Sequence, residues 1–283
     1  MHAVHRRFPW ALLLLSFVAA ADAHAAEPAL RTYQFNPVAD TSIYADVSGV
    51  NLTWDNVSDG LGESLWLSTT AGGVLRRSLM RFDLSTIPAG EQVVSASLGL
   101  FQLRSRDSHD VSVHRMLASW GEGSSNGGSA GVGSAATAGD ATWRWRDYLV
   151  SEWAQRGGDF AAQSSATTLV AGTNTSYTWA STAGLVADVQ GWLDNPASSF
   201  GWIFLGPEID AQNAKRFDSR QGLIASQRPL LVVQTVPIPE ASTLAMFAVG
   251  LAALLLLRRR SASTQKSGVA GLAHKGPGEL SLR

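Results

Sequence analysis

Two tryptophans alternate with two arginines in the segment TWRWRDY at 142–148. An indole ring offers a flat apolar face that can stack on a sugar ring, and a guanidinium forms paired hydrogen bonds with carboxylates or sulfates. In an extended strand the alternation places the two residue types on opposite faces. The pattern therefore makes Trp143, Arg144, Trp145 and Arg146 candidates for a sugar-acid site. An internal arginine–aspartate network is the alternative.

Arg104 and Arg106 share one face of a predicted strand and continue past its apolar run into a polar loop, which favours exposure. His109 follows three residues later. We predict that these three residues and the 143–146 segment bind a glycan together.

Catalytic motifs are weak in this chain. The segment GGSAG at 127–131 fits G-x-S-x-G, but its glycine- and serine-rich flanks supply neither the strand nor the helix of a nucleophile elbow. His109 and His114 are five residues apart on a predicted strand and so point to opposite faces. We therefore expect no enzyme. A polysaccharide lyase or hydrolase using Tyr148 or a histidine beside a carboxylate and an arginine is an alternative.

Acidic residues near the start of the exported part could hold calcium, which prefers hard oxygen ligands. Asp40 and Asp46 are the main candidates, together with the loop carboxylates of Asp55, Asp59 and Glu63. Their spacing fits no EF-hand, so ordinary solvated loop acids are the alternative.

The elements that must position these side chains are mostly short strands separated by turn residues. One segment instead has a helical period, with Leu185, Val189 and Trp192 on one face. Ser181 and Thr182 are the candidate caps, and Asn195-Pro196 is the stop. The sequence predicts an all-β fold, a jelly-roll-type β-sandwich with one short helix. The predicted strands cover 40–46, 64–68, 75–83, 93–103, 110–117, 200–206 and 229–235.

The charge of the exported part differs from that of the whole chain. Residues 27–236 contain 14 Lys and Arg against 20 Asp and Glu, whereas the full chain has a net charge of −1. An acidic domain with a single lysine, Lys215, argues against nucleic acid as a partner. There are no cysteines, so disulfides and thiol chemistry are excluded.

Both ends of the chain have the features of targeting segments. Arg6 and Arg7, an apolar run over 10–21 and the small residues around Ala25 predict a cleaved signal peptide over 1–25. The sandwich domain would occupy 26–236. A second apolar run over 244–257, lengthened by the three residues before it, predicts a membrane-spanning helix. The arginines after it would remain cytoplasmic and leave the domain facing the periplasm.

The tail VPIPEASTLAMFAVGLAALLLLRRR resembles a PEP-CTERM sorting signal over 237–260. Such a signal implies recognition by an exosortase, a membrane transpeptidase of exopolysaccharide-producing Gram-negative bacteria. Ala241 stands where the second proline of the motif is expected, and 23 residues follow over 261–283, which we expect to be a disordered cytoplasmic extension. The residues that carry the resemblance are Pro237, Pro239, Glu240, Ser242, Thr243, Arg258, Arg259 and Arg260.

The domain itself resembles the DNRLRE domain over 38–235, a family related to alginate-binding carbohydrate modules. The resemblance implies a jelly-roll sandwich and, in some members, polysaccharide binding. It also implies a charged structural network of Arg81, Asp83, Arg216, Asp218 and Arg220. The matching segments include RRSLMRFDLSTIPAGEQVVSASLGLF, HDVSVHRMLASWGEG, GDATWRWRDY, WAQRGGDF, VADVQGWLDNPASSFGWIFLG and AKRFDSRQ.

These features predict an exported, non-catalytic surface protein that binds polysaccharide or associates with an exopolysaccharide matrix. An exosortase and the inner membrane are its other expected partners, and its expected location is the cell envelope or the extracellular matrix. The alternative from a different class is a structural or adhesive envelope protein without a glycan site.

Overall fold

The computed structural model describes residues 29–208, 212–238 and 248–256. The predicted signal peptide, the extension over 261–283, residues 241–247 and 257 of the predicted membrane helix, and every sorting-motif residue except Pro237 lie outside these ranges. Within the described ranges, no helix is long and apolar enough to cross a bilayer. Residues 248–256 form a short exposed helix.

The domain consists mostly of strands, with one α-helix, α1 (Ala183–Asp194), and short 3₁₀ turns at Leu52–Asn56, Pro196–Ser198 and Ala225–Gln227. The strands are β1 (Arg31–Phe35), β2 (Ala39–Asp46), β3 (Val57–Ser58), β4 (Ser64–Thr69), β5 (Val74–Arg81), β6 (Glu91–Arg104), β7 (His109–Arg115), β8 (Ser134–Ala135), β9 (Trp145–Asp147), β10 (Ser151–Glu152), β11 (Ala166–Val170), β12 (Thr175–Trp179), β13 (Trp202–Leu205), β14 (Lys215–Asp218) and β15 (Leu230–Pro237).

The first sheet is built around the long strand β6. Strand β12 pairs with β6 over 98–102, while β15 pairs with it over 91–99 and β14 pairs with it near Arg104. Strand β1 pairs with β15, and β4 pairs with β14. Each of these pairings is antiparallel.

The second sheet is built around β5. Strand β2 pairs with β5 along its whole length, β13 pairs with both β5 and β7, and β11 pairs with β7. The short strands β3 and β8 extend this sheet beyond β2.

Strand β4 belongs to both sheets. Its first four residues pair with β14, and its last two, Ser68 and Thr69, pair with β5. The change of sheet coincides with a left-handed backbone at Ser68, whose φ is +67°. The chain therefore turns the corner of the sandwich inside a single strand.

The hydrophobic core lies between the two sheets, because alternate residues of their strands point inward. Helix α1 covers one end of this core with Leu185, Val189 and Trp192. Its N-terminus is capped by Thr182, whose hydroxyl accepts a hydrogen bond from the Leu185 N–H, and Asn195 ends it. The predicted helix is confirmed, with Thr182 at its start and Asn195 at its end, and Trp192 on its predicted apolar face is buried.

A third layer covers the outer face of the second sheet. The segment between β7 and β11 packs Trp120 and Trp153 onto Ile43, Leu79 and Ile203. The glycine- and serine-rich part of this segment, which in sequence has the composition of a surface loop, is fastened by buried carboxylates. Asp140 accepts hydrogen bonds from the backbone N–H and hydroxyl groups of Ser125 and Thr137.

Candidate functional site

Two arginines lie over Trp66 at the end of the sandwich where β6 finishes, and two more line a cleft beside it. We call Arg76, Arg104, Arg106 and Arg216 the arginine cluster. Arg216 on β14 stands directly between Trp66 on β4 and Arg104 on β6, because the registers pair Trp66 with Arg216 and Arg216 with Arg104. The row of three side chains thus crosses three adjacent strands.

The local sequence explains why these side chains meet. Leu65 and Leu67 on β4 point into the core, so Trp66 between them points outward. On β14, Phe217 is buried in the core, so the preceding Arg216 also points outward. Antiparallel pairing then sets the two outward residues side by side.

The indole of Trp66 is held between guanidinium groups. The guanidinium carbon of Arg76 lies 4.8 Å from the ring centroid, and that of Arg216 lies 5.6 Å from it. The backbone of Gly131 also packs against the ring, where a β-carbon would come within 2.6 Å. Arg76 donates to the Gly131 carbonyl at 3.0 Å, and Arg216 donates through Nε to the Ser64 hydroxyl at 2.8 Å.

The arginines of the cluster form no direct ion pair among the described residues, although the Asp218 carboxyl lies near Arg216. Among the described residues, none of its four arginines lies within 4.0 Å of a carboxylate oxygen. Arg76 is only 2% exposed, and burial lowers the pKa of its guanidinium to about 10. Buried cations are normally paired with a carboxylate, because desolvation of an unpaired charge lowers the stability of the fold. An unpaired buried arginine therefore calls for a functional explanation.

A surface cleft of about 210 Å³ opens beside Trp66. Arg104 and Arg106 are exposed on its walls, with Gln212 and the small residues of the neighbouring loops. Arg106 donates a hydrogen bond to the side-chain oxygen of Gln212. An anion entering this cleft would meet two accessible guanidinium groups backed by two further positive charges.

The tryptophan–arginine segment at 142–148 lies in the third layer, where its side chains make internal contacts. Trp143 is half-buried in the third layer, and the Arg77 guanidinium lies 4.5 Å from its ring centroid. Arg77 in turn forms a two-point ion pair with Glu208, with N–O distances of 2.6 and 2.8 Å. The Trp143 ring and the Arg77 guanidinium therefore make their contacts inside the protein.

The rest of that segment is also engaged internally. Arg144 lies over the Trp145 ring at 4.9 Å and pairs with Glu152 at 2.7 Å, while Arg146 donates to Ser119. Among the described residues, no hydrogen bond, ion pair or ring contact joins this segment to Arg104 or Arg106, so a site shared by both groups stays a prediction. The internal arginine–carboxylate network describes 143–146 better.

His109 lies at the start of β7 and lines a separate shallow cleft with Ser112 and Pro207. His114 is held by the Ala161 carbonyl and the Ser112 hydroxyl. The structure therefore does not place His109 on the wall of the cleft beside Trp66.

The predicted calcium pair is also separated. Asp40 and Asp46 lie near opposite ends of β2, paired with Met80 and Val74. Six residues of strand span roughly 20 Å, which is too far for two carboxylates to hold one ion. Asp46 instead accepts hydrogen bonds from Ser48 and Asn51 in a turn. Among the described residues, no group of three acidic or histidine side chains is arranged to hold a metal ion.

The charged network implied for Arg81, Asp83, Arg216, Asp218 and Arg220 is divided among distant places. Arg81 lies over the Trp120 ring at 5.5 Å, and Asp83 accepts a hydrogen bond from the Ser85 N–H in an exposed turn. Arg220 pairs with Glu122, while Arg216 belongs to the arginine cluster. Burial raises the pKa of Asp218, and the nearby Arg216 opposes that rise.

A buried acidic group lies under the third layer. Asp40 accepts the Arg220 N–H at 2.7 Å, and burial raises the pKa of its carboxyl to about 8. Asp59 accepts the Gly127 N–H at 2.6 Å and the Tyr44 hydroxyl at 3.4 Å, and burial raises its pKa to about 6. Asp59 thus holds the glycine-rich segment at Gly127, and Asp40 holds the backbone at Arg220, which are structural roles.

Trp66 and Arg76 were not predicted as site residues. The alternation of Trp66 with Leu65 and Leu67 does indicate an outward ring, and Arg76 stands beside Arg77 on one strand. The pairing of β4 with β14 and of β14 with β6 joins segments about 150 and 110 residues apart, respectively. Periodicity within one strand cannot reveal that pairing.

Comparison with known proteins identifies the C-terminal part of the chain. Residues 237–260 match the PEP-CTERM protein-sorting motif. This match confirms the predicted sorting tail and marks the chain as an exported surface protein that is sorted by an exosortase. No curated protein matches the sequence at a significant level.

Proposed function

We propose that this exosortase-sorted surface protein binds an acidic polysaccharide through the arginine cluster, without chemically altering it. We also propose that the domain belongs to the DNRLRE family, which it resembles in sequence, and has the jelly-roll topology that this resemblance implies. It moves the predicted glycan site from the 143–146 segment to the cleft beside Trp66 and keeps Arg104 and Arg106.

The unpaired charge of the cluster is the observation that carries the proposal. Residues 27–236 have a net charge of −6, yet two arginines lie over the Trp66 ring and two more line the cleft beside it, and none of the four forms an ion pair among the described residues. An acidic domain repels polyanions in general, so a local cationic cleft selects a ligand that fits it closely.

The chemistry of the cleft favours carboxylate-bearing sugars. The exposed guanidinium groups of Arg104 and Arg106 can each donate two parallel hydrogen bonds to a carboxylate. Trp66 is only 8% exposed, so its main contribution is to stack on Arg76 and Arg216 and hold their positions. A repeating polymer would add avidity, because neighbouring sugar acids can rebind the same cleft.

The test is affinity electrophoresis and calorimetry of the purified full-length chain with a polyuronate and with a neutral glucan. We expect binding to the polyuronate alone, weakened about tenfold or more by the double change R104Q/R106Q, since each charged hydrogen bond contributes about 1.5 kcal/mol or more. The matched control is R144Q/R156Q, which removes two arginines that are paired with Glu152 and Asp55.

Equal loss of binding in both double variants would reject the cleft as the site. Binding to neither polymer would reject the function and favour a structural or adhesive role. Absence of catalysis is tested in the same samples, where we expect no new reducing ends and no unsaturated sugar products.

A further inference from the structure

The sorting motif begins inside the folded domain. Its match starts at Pro237, which is the last residue of β15 and pairs with Glu91 on β6. The next residue, Ile238, donates its backbone N–H to the Gly90 carbonyl at 2.8 Å. Pro239 and Glu240, the residues that give the motif its name, follow with no linker between them and this hydrogen bond.

Glu91 fastens this end of β15 from both sides. Its side chain is buried, and one carboxylate oxygen accepts the Thr235 hydroxyl at 2.6 Å. The other oxygen pairs with Arg31 on β1, the strand on the opposite side of β15. A single carboxylate therefore ties three neighbouring strands together at the point where the tail leaves.

A break in register separates this end from the rest of β15. The pairing with β6 shifts between Gln234 and Thr235, so Thr235, Val236 and Pro237 lie beyond an irregularity of the ladder. Such a bulge interrupts the row of hydrogen bonds and lets the residues beyond it separate as a unit. Residues 235–237 therefore form a short segment beyond the irregularity, and Glu91 is the side chain that holds it to both neighbouring strands.

An enzyme that binds a peptide in an extended conformation forms hydrogen bonds with its backbone N–H and C=O groups and contacts side chains on both of its faces. Those groups must therefore be free of other partners. At 235–238 these groups are occupied by β6, Gly90 and Glu91. We propose that exosortase processing requires residues 235–238 to detach from the sheet, and that Glu91 is the positioning residue that limits how often they do.

The test is a pulse–chase experiment on the full-length chain in a host that contains the exosortase and in one that lacks it. E91Q weakens the contacts with Arg31 and Thr235, and T235V removes the hydrogen bond to Glu91. We expect both variants to be processed about three- to tenfold faster than the wild type, the factor that the loss of a hydrogen bond to a charged group in the closed state produces. The control E152Q removes an arginine–glutamate pair far from the tail and should leave the rate unchanged.

A second variant separates release from general unfolding. Four Gly and Ser residues inserted between Ile238 and Pro239 move the motif away from the sheet and leave Glu91 in place. We expect faster processing of this variant and no further effect of E91Q within it. Wild-type rates in E91Q, T235V and the insertion variant would overturn the proposal, as would equal acceleration by E152Q.

Discussion

Arg76 and Trp66 form a stacked pair that is almost fully removed from solvent, with the guanidinium carbon 4.8 Å above the indole. The Nε–H group of Arg76 has no hydrogen-bond partner among the described residues, and its main polar contact is the Gly131 carbonyl. A cation in this position lowers the stability of the fold, since desolvation is not offset by a carboxylate. Such a residue is best explained by the positive potential that it supplies to the cleft.

The first prediction concerns the adjacent pair Arg76 and Arg77. We expect R76M to retain or raise stability by about 1 kcal/mol, because a flexible apolar side chain replaces an unpaired buried cation. The same variant should bind polyuronate less tightly. R77M, in contrast, should lose about 2 to 4 kcal/mol, because it leaves Glu208 without its partner. Thermal unfolding and calorimetry of both variants give the comparison, and destabilisation of R76M equal to that of R77M would refute it.

The second prediction concerns the pH dependence of stability at Asp40. Burial raises the pKa of this carboxyl from 3.8 to about 8, so the folded chain binds the proton more tightly than the unfolded chain. The stability of the wild type should therefore fall as pH rises from about 4 to 8 and level off above that. At 1.36 kcal/mol per pKa unit, the whole interval corresponds to on the order of 5 kcal/mol.

The variant D40N keeps an acceptor for the Arg220 N–H and removes the ionisation. We expect the melting temperature of D40N relative to the wild type to increase between pH 5 and pH 8. D46N is the control, since hydrogen bonds from Ser48 and Asn51 lower the pKa of Asp46 and place its titration below that range. A difference between D40N and wild type that does not change with pH would contradict the assignment.

The third prediction concerns the fastening of the third layer by Asp140. D140A removes the acceptor of four hydrogen bonds from Ser125 and Thr137 and leaves backbone donors unsatisfied. We expect a loss of about 3 to 5 kcal/mol and faster hydrogen exchange over 121–139. The exposed residue Asp110 provides the control, and D110A should change neither quantity.

The fourth prediction concerns the corner of the sandwich at Ser68. This residue has a φ of +67°, and its buried hydroxyl has no partner among the described residues. We expect S68G to stabilise the domain by about 1 kcal/mol, because glycine adopts this backbone without strain. S42G is the control on the neighbouring strand and should destabilise it, since the Ser42 hydroxyl accepts the Trp66 N–H at 3.0 Å. Chemical denaturation measures both changes.

Apolar periodicity along the sequence predicted the strands and the helix, but it did not predict which residues meet at the candidate site. The helix over 183–194 and the strand over 91–104 have apolar periods that are visible in sequence, and the structure places both close to their predicted bounds. The third layer was not foreseen, because it is composed of irregular backbone held by buried carboxylates such as Asp140. That layer explains why Trp143 is half-buried instead of exposed.

Prediction of the candidate site would have required knowledge of which strands pair and in which register. Arg104 was predicted correctly as exposed, but its neighbours Arg216 and Trp66 reach it only through the register of three strands. No rule of spacing along the chain connects residues 66, 104 and 216. Register between distant strands depends on the whole sandwich closing around its core.

The two ends of strand β6 carry different features of the molecule. Glu91 at its start holds the point where the sorting tail leaves, and Arg104 at its end belongs to the arginine cluster. Thirteen residue steps along a strand correspond to roughly 43 Å. The cationic cleft and the exit of the sorting tail therefore lie at opposite ends of one strand, so that a polymer bound at one end leaves the other end accessible.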